Sequence, residues 1–185
     1  MFIFHVFFLA CIYGNIMKID TTGASQATAN QDRLNIIGVE ASKKLAETDL
    51  ARMEKYKSMI TKVGREKQMD PAVIAAIISR QSRAGATLED GWGDHGYAFG
   101  LISPNWGGYS KTGWKIQNRA WLPLIDRHMT RMHSFFLQIN FRGISAYNAG
   151  VSTVSSYENI DARTSGKDFS NDVVARAQWF KSKGY

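Results

Sequence analysis

Cysteine and proline are scarce in this chain of 185 residues, which contains one cysteine and three prolines. A single cysteine excludes an intrachain disulfide and a cysteine-based zinc site. Three prolines are too few for a proline-rich linker between domains. Beyond the N-terminal segment, no run of about 18 uncharged apolar residues occurs, which excludes a multi-pass membrane protein. The chain must therefore fold without disulfide bonds.

The composition is that of an ordinary globular protein. Hydrophobic residues make up 44% of the chain, charged residues 21% and aromatic residues 12%. Disordered chains are poor in aromatic residues, so these proportions argue against disorder. A length of 185 residues fits one domain that is large enough to bury a core.

The net charge of +7 favours an anionic partner, such as a nucleic acid, an anionic membrane or an acidic polymer of the bacterial wall. Lysine and arginine are spread along the chain without a run of five, so we do not expect a nucleic-acid-binding module. His128 and His133 are off the i, i+4 spacing that places two metal ligands on one helix face. No glutamate stands beside either, and together with His95 they predict neither a metal site nor a cofactor.

Residues 1–14 form an apolar leader, in which His5 interrupts the apolar run and Cys11 is the single cysteine. Its length suits the hydrophobic region of a signal peptide and is short for a membrane-spanning helix. The lysine or arginine that usually precedes such a region is missing. We expect a secretory signal and a secreted protein without an integral membrane segment; if the leader is not a signal, the protein is cytoplasmic.

The N-terminal part of the body predicts a loop followed by a long helix. Residues 15–35 are polar and rich in glycine, threonine, serine and asparagine, as loops are. Apolar residues then recur every three or four positions through 42–67, which predicts an amphipathic helix. Thr48 followed by Asp49 is a possible start of a second helix within that range.

Asp70 and Pro71 predict the start of the next helix. Aspartate is a good N-cap, and proline is well suited to the first helical position. The helix is expected over 72–82, and because it is apolar nearly all round it should be buried. Gly85 is a plausible stop.

Six glycines with interleaved aromatic residues mark 90–108 as a loop that contains a short hairpin. Weak periodicity predicts a helix over 122–137, and clearer patterns predict helices over 144–157 and 170–183. These elements predict a mainly α, single-domain protein with a small glycine-rich region.

Gln81 is the polar residue that stands out in the buried helix. It follows Ile77 by four residues and Ile74 by seven, so it shares their face at the C-terminal end of that helix. A glycosidase keeps its proton donor in such a place, where burial raises the pKa of a carboxyl group. The alternative is a glutamine at the edge of the core with satisfied hydrogen bonds.

Long segments of the chain resemble the goose-type (g-type) lysozymes, especially those of fish. The matching segments are "YGNIMKIDTTGAS", "DPAVIAAIISR", "GWGDHG", "GISAYNAGV" and "NDVVARAQWFKSKGY". The resemblance implies a lysozyme-like fold, related to that of lytic transglycosylases, with a cleft for peptidoglycan. It also implies antibacterial hydrolysis of the β-1,4 bond between N-acetylmuramic acid and N-acetylglucosamine.

The resemblance also implies where the catalytic carboxylates should be. The family's general acid, the glutamate of "ISRES", falls on Gln81. Its first aspartate, in the "GWGD" motif, falls on Asp94 and is retained. Its second aspartate falls on Asn105. Two of the three carboxylates are therefore replaced by their amides, although Asp94 has a second interpretation as a residue that stabilises a turn.

Four further residues are candidates for binding the substrate. The sugar-contacting tyrosine and asparagine of the family's "AYNAG" motif fall on Tyr147 and Asn148, both retained. Trp92 and Phe99 belong to the aromatic loop, whose rings can stack on sugar faces. The alternatives are helix packing and capping for the first two residues and core packing for the aromatic rings.

The two amides have a direct chemical consequence. Gln81 has no dissociable proton in the useful range, and Asn105 cannot accept a proton from water. General acid–base catalysis is typically worth about 10²–10⁴-fold in rate. We therefore expect an inactive or strongly impaired lysozyme, a pseudoenzyme, whose partner is peptidoglycan or a related N-acetylated glycan and which acts as a monomer.

Residues 106–142 depart from the family pattern within a domain expected to span 15–185. The departure bears on two expectations, the shape of the cleft and the ability of the chain to fold. Three hypotheses stay open: a lysozyme with residual activity, a non-catalytic glycan-binding homologue, and the poorly folding product of a degenerating gene.

Overall fold

The computed structural model describes residues 15–93, 98–102, 141–154 and 156–185, with Ala98 and Phe99 described by their backbone alone. Within these ranges lie six α-helices and a two-stranded antiparallel sheet. The predicted mainly α fold with a short hairpin is confirmed. The predicted leader and the predicted helix over 122–137 lie outside the described residues. The elements are α1 (Gln26–Asn30), α2 (Gly38–Met53), α3 (Lys57–Glu66), α4 (Pro71–Ser82), β1 (Trp92–Gly93), β2 (Ala98–Phe99), α5 (Phe141–Ala149) and α6 (Phe169–Ser182).

Helix α4 lies at the centre of the core. Its residues 72–79 are all buried, as expected for a helix that is apolar nearly all round. Its predicted start is confirmed, because the Asp70 side chain accepts a hydrogen bond from the Ala72 N–H at 3.0 Å. Pro71 occupies the first turn, where its missing N–H leaves no hydrogen bond unmade.

Helix α6 packs along α4 in the opposite direction. Lys181, in the last turn of α6, pairs with Asp70 at the start of α4, at 2.7 Å. Arg80, in the last turn of α4, pairs at 3.0 Å with Asp168, which directly precedes α6. The helix pair thus has two ends, called here the Gln81 end and the Lys181 end after a residue that each contains. The predicted helix over 170–183 is confirmed, one residue earlier at each end.

Buried charges join α2, α4 and α6. Asp49 of α2 accepts a hydrogen bond from the Ser79 hydroxyl of α4 at 2.7 Å, and that hydroxyl accepts one from Arg176 at 2.8 Å. Arg176 also pairs with Asp172 at 2.9 Å, and Arg80 Nε lies 3.0 Å from the same carboxylate. Burying a charge is costly unless it is paired and hydrogen-bonded, and here cations and carboxylates alternate.

The N-terminal predictions need two corrections. Residues 15–35 are not all loop, because they contain a 3₁₀ turn at Ile16–Lys18 and helix α1. The long helix begins at Gly38, before the predicted residue 42, and breaks at the 3₁₀ turn Glu54–Tyr56. No helix starts at Asp49, because its side chain is wholly buried in the middle of α2.

The prediction for 144–157 was correct in type and wrong in extent. Helix α5 begins at Phe141 and ends at Ala149. Gly150, with φ of 93°, leaves the helical region and is followed by a 3₁₀ turn at Val151–Thr153. Glycine adopts this backbone conformation without the steric cost that other residues meet. No helix among the described residues is long and apolar enough to cross a membrane.

Candidate active site

Gln81 lies in the last turn of α4 and is half-buried. Its Oε1 accepts a hydrogen bond from the Tyr147 hydroxyl, with 2.9 Å between the oxygens. The two residues are 66 positions apart in the sequence. The structure therefore brings together two residues that the sequence analysis named as candidates for separate reasons.

Tyr147 is held in the core on helix α5. It is 6% exposed, and its ring lies 6.2 Å from the Phe169 ring at the start of α6. Burial raises the pKa of the Tyr147 hydroxyl well above its usual range. The hydroxyl therefore keeps its proton at all physiological pH values and donates it to the Gln81 carbonyl.

Asn148 faces a different neighbour. Its Oδ1 accepts a hydrogen bond from the Ser165 N–H at 2.8 Å, which ties α5 to the 3₁₀ turn Ser165–Lys167. Its Nδ2 has no partner among the described residues. The predicted sugar contact of Asn148 stays a prediction, and its carbonyl has a structural role in addition.

The predicted hairpin contains two of the aromatic candidates. Trp92 pairs with Phe99 and Gly93 with Ala98 in an antiparallel register. Trp92 is half-buried. Asp94, Asn105 and the Phe99 side chain lie outside the described residues, so their roles stay predictions.

Charged residues behind Gln81 fix the end of α4, and the sequence analysis missed them. Arg80 pairs with Asp168 and Asp172, and its guanidinium lies 5.7 Å from the Phe169 ring, which in turn contacts Tyr147. Neighbouring side chains thus hold both partners of the Gln81–Tyr147 hydrogen bond. The available signal was the Asp172–Arg176 pair, spaced i, i+4 within an apolar helix.

The predicted end of α4 at residue 82 is confirmed, but Arg83 rather than Gly85 takes the left-handed conformation that directly follows the helix. The helix ends at Ser82, and Arg83 takes the left-handed conformation with φ of 54°. Its guanidinium binds Asp49 at 2.9 Å and also Asp32. Burial alone would lower the pKa of Arg83, but the two carboxylates outweigh it and raise the pKa. These ion pairs stabilise a backbone conformation that costs a residue other than glycine about 1–2 kcal/mol.

No metal site occurs in the part of the chain that the structure describes. No three His, Cys, Asp or Glu residues there come close enough to hold an ion. His95, His128 and His133 lie outside the described ranges.

Comparison with known proteins identifies the family. The family model described as Lysozyme g matches residues 13–184. Lysozyme g of Cyprinus carpio is 55% identical over 193 residues, which cover 96% of this chain and all of that protein. Lysozyme g of Epinephelus coioides is 46% identical, covering 94% of this chain and 99% of that protein. Lysozyme g of Gallus gallus is 44% identical, covering 94% of this chain and 86% of that protein. The chain belongs to the lysozyme g family.

Proposed function

We propose that this chain binds peptidoglycan in the cleft of the lysozyme g family but hydrolyses it little or not at all. The observation that carries the proposal is the amide at position 81, held by Tyr147 at 2.9 Å in the place where the family resemblance expects a glutamic acid. An amide offers no proton to the leaving sugar oxygen.

An inverting glycosidase needs an acid on one side of the bond and a base that activates water on the other. Tyr147 is a poor substitute for the acid, because burial raises its pKa and its proton points at Gln81. Asp94 keeps the means to orient a water, but Asn105 does not accept a proton. Water attack without protonation of the leaving oxygen forgoes about 10²–10⁴-fold in rate.

The same amide remains suited to binding. Because Oε1 accepts the Tyr147 hydroxyl, the Nε2 group is left to donate, and it has no partner among the described residues. A protonated glutamic acid would present one O–H donor at this position, and the glutamine presents N–H donors instead. Tyr147, Asn148, Trp92 and Phe99 are the further residues that we propose for contact with the glycan.

The proposal includes the organisation and location of the chain. Residues 1–14 serve as a secretory leader, and 15–185 form the lysozyme domain, in which 106–142 differ from the family pattern. We propose a secreted monomer that meets N-acetylated wall glycans outside the cell.

Co-sedimentation with insoluble peptidoglycan tests the binding, and turbidity of a Gram-positive wall suspension tests the hydrolysis. We expect the protein to sediment with peptidoglycan, to be released by soluble N-acetylglucosamine oligomers, and to leave the turbidity unchanged. Gln81→Leu is the comparison variant; it removes the N–H donors together with the carbonyl that accepts the Tyr147 hydroxyl, and we expect weaker sedimentation.

Two results would contradict the proposal. One is clearing of the wall suspension at a rate comparable with that of a Gln81→Glu variant. The other is a failure to sediment with peptidoglycan despite a cooperative thermal unfolding transition. A non-cooperative transition would instead support the degenerating-gene hypothesis.

A further inference from the structure

The Lys181 end of the helix pair carries an excess of positive charge. The start of α3 and the turn before it contact the end of the chain after α6: Lys57 Nζ donates a hydrogen bond to the Lys183 carbonyl at 3.3 Å, and the Tyr185 hydroxyl donates one to Glu54 at 3.1 Å. The basic face is defined here as Lys55, Lys57, Lys62, Arg65, Lys181 and Lys183.

Three of these cations follow the turn before α3 and α3 itself. Lys55 lies in the 3₁₀ turn Glu54–Tyr56, and Lys62 and Arg65, spaced by three residues, lie on one side of α3. All three are exposed, whereas Ile60 and Val63 are buried in the core.

A second group of cations lies at the end of α6. Lys183 Nζ lies 5.2 Å from the centre of the Trp179 ring, and Lys57 Nζ lies 4.6 Å from that of Tyr185. These cation–π contacts hold both ammonium groups beside aromatic rings near the surface, where the groups stay hydrated. The face is therefore partly organised before any partner arrives.

The carboxylates on this face do not neutralise it. Glu54 lies 3.7 Å from Lys57, Glu66 lies 3.9 Å from Lys62, and Asp70 lies 2.7 Å from Lys181. Glu47 is held by Lys44 at 2.8 Å, and its pKa is lowered by Lys44 and, to a smaller extent, by the charge of Lys183. Among the described residues, no carboxylate lies within ion-pair distance of the remaining three cations of the face, Lys55, Arg65 and Lys183.

We propose that the basic face binds a flexible polyanion with phosphates along its length, of the poly(glycerol phosphate) class. A single flexible chain can contact in series the cations of the turn, of α3 and of the end of α6. Membrane-binding surfaces add exposed apolar residues to their cations. Within the described part of the chain, the exposed large apolar side chains lie outside α3 and the last turn of α6: Met17, Ile36, Ile37, Val151 and Tyr157.

This second site is independent of the proposed glycan site. Helix α4 has 12 residues, so its two ends lie about 18 Å apart. Gln81 is at one end and Lys181 of the basic face is at the other, beside Asp70. The turn that contains Lys55 lies nearer the Gln81 end, because its Tyr56 hydroxyl approaches Gly85.

Fluorescence anisotropy of a labelled synthetic poly(glycerol phosphate), titrated with the full chain, tests the proposal. The face variant combines Lys55→Gln, Lys62→Gln and Arg65→Gln. The control variant combines Lys18→Gln, Lys43→Gln and Arg163→Gln, which removes the same charge from exposed positions elsewhere. Glutamine has nearly the helix propensity of lysine and arginine, so we expect both variants to fold like the parent.

We expect the face variant to bind at least about tenfold more weakly at low salt and the control less than about threefold. The slope of log affinity against log salt should flatten by about two to three in the face variant. Equal weakening of both variants, or of neither, would overturn the proposed site. Tighter binding to duplex DNA or to phosphatidylglycerol vesicles than to the polymer would overturn the proposed partner.

Discussion

The two ends of the α4–α6 pair handle charge in opposite ways. At the Gln81 end, Asp172, Arg176 and Asp49 have at most 2% of their side chains exposed, and each is paired. On the basic face, the Lys57–Glu54 and Lys62–Glu66 pairs are largely exposed, Asp70 is the one buried carboxylate among the described pairs, and three cations have no carboxylate within ion-pair distance among the described residues. The buried pairs hold the side chains around Gln81 in place, and the exposed cations can attract an anionic partner.

Breaking one pair at each end should give very different effects on stability. Asp172→Asn leaves Arg80 and Arg176 without a shared buried carboxylate, and we expect a loss of about 3–5 kcal/mol in the free energy of unfolding. Lys62→Ala removes an exposed pair and should cost less than about 1 kcal/mol. Urea unfolding measures both values. Similar losses at the two ends would refute the contrast in how charge is held.

Alkaline pH should destabilise the folded protein at the Gln81 end, through Tyr147. Its pKa is raised in the folded state, so its contribution to stability is complete below the unfolded pKa of about 10 and is lost as the pH rises further. The slope is at most about 1.4 kcal/mol per pH unit for this group. A Tyr147→Phe variant should lose less stability between pH 9 and 11 than the parent does, as measured by urea unfolding. An unchanged alkaline slope would show that Tyr147 titrates as easily in the folded protein as in the unfolded one.

Local signals predicted the start of α4, the extent of α6 and the hairpin. Asp70 and Pro71 act through the residues next to them, so a window of sequence contained the information. Asp49 was misread as a possible helix start, because aspartate favours that position and its real partners, Ser79 and Arg176, are distant in the chain. Arg83 likewise adopts a glycine-like conformation because Asp32 and Asp49 hold its side chain.

The candidate site was predicted in part. Gln81 was found from its position on the buried helix and from the family resemblance, and Tyr147 from the resemblance alone. That the two share a hydrogen bond follows from the packing of α6 against both α4 and α5, which no local pattern encodes. Arg80 and Asp172 were missed because their pairing also depends on two helices that are far apart in sequence.

The rate of wall lysis by the chain and by a Gln81→Glu, Asn105→Asp double variant is the most direct measurement. The double variant restores the acid and the second carboxylate and leaves the rest of the chain unchanged. We predict that it clears a Gram-positive wall suspension at least about 100-fold faster than the parent does. Equal, substantial rates would contradict the proposal that the two amides leave this member of the lysozyme g family with little or no catalysis.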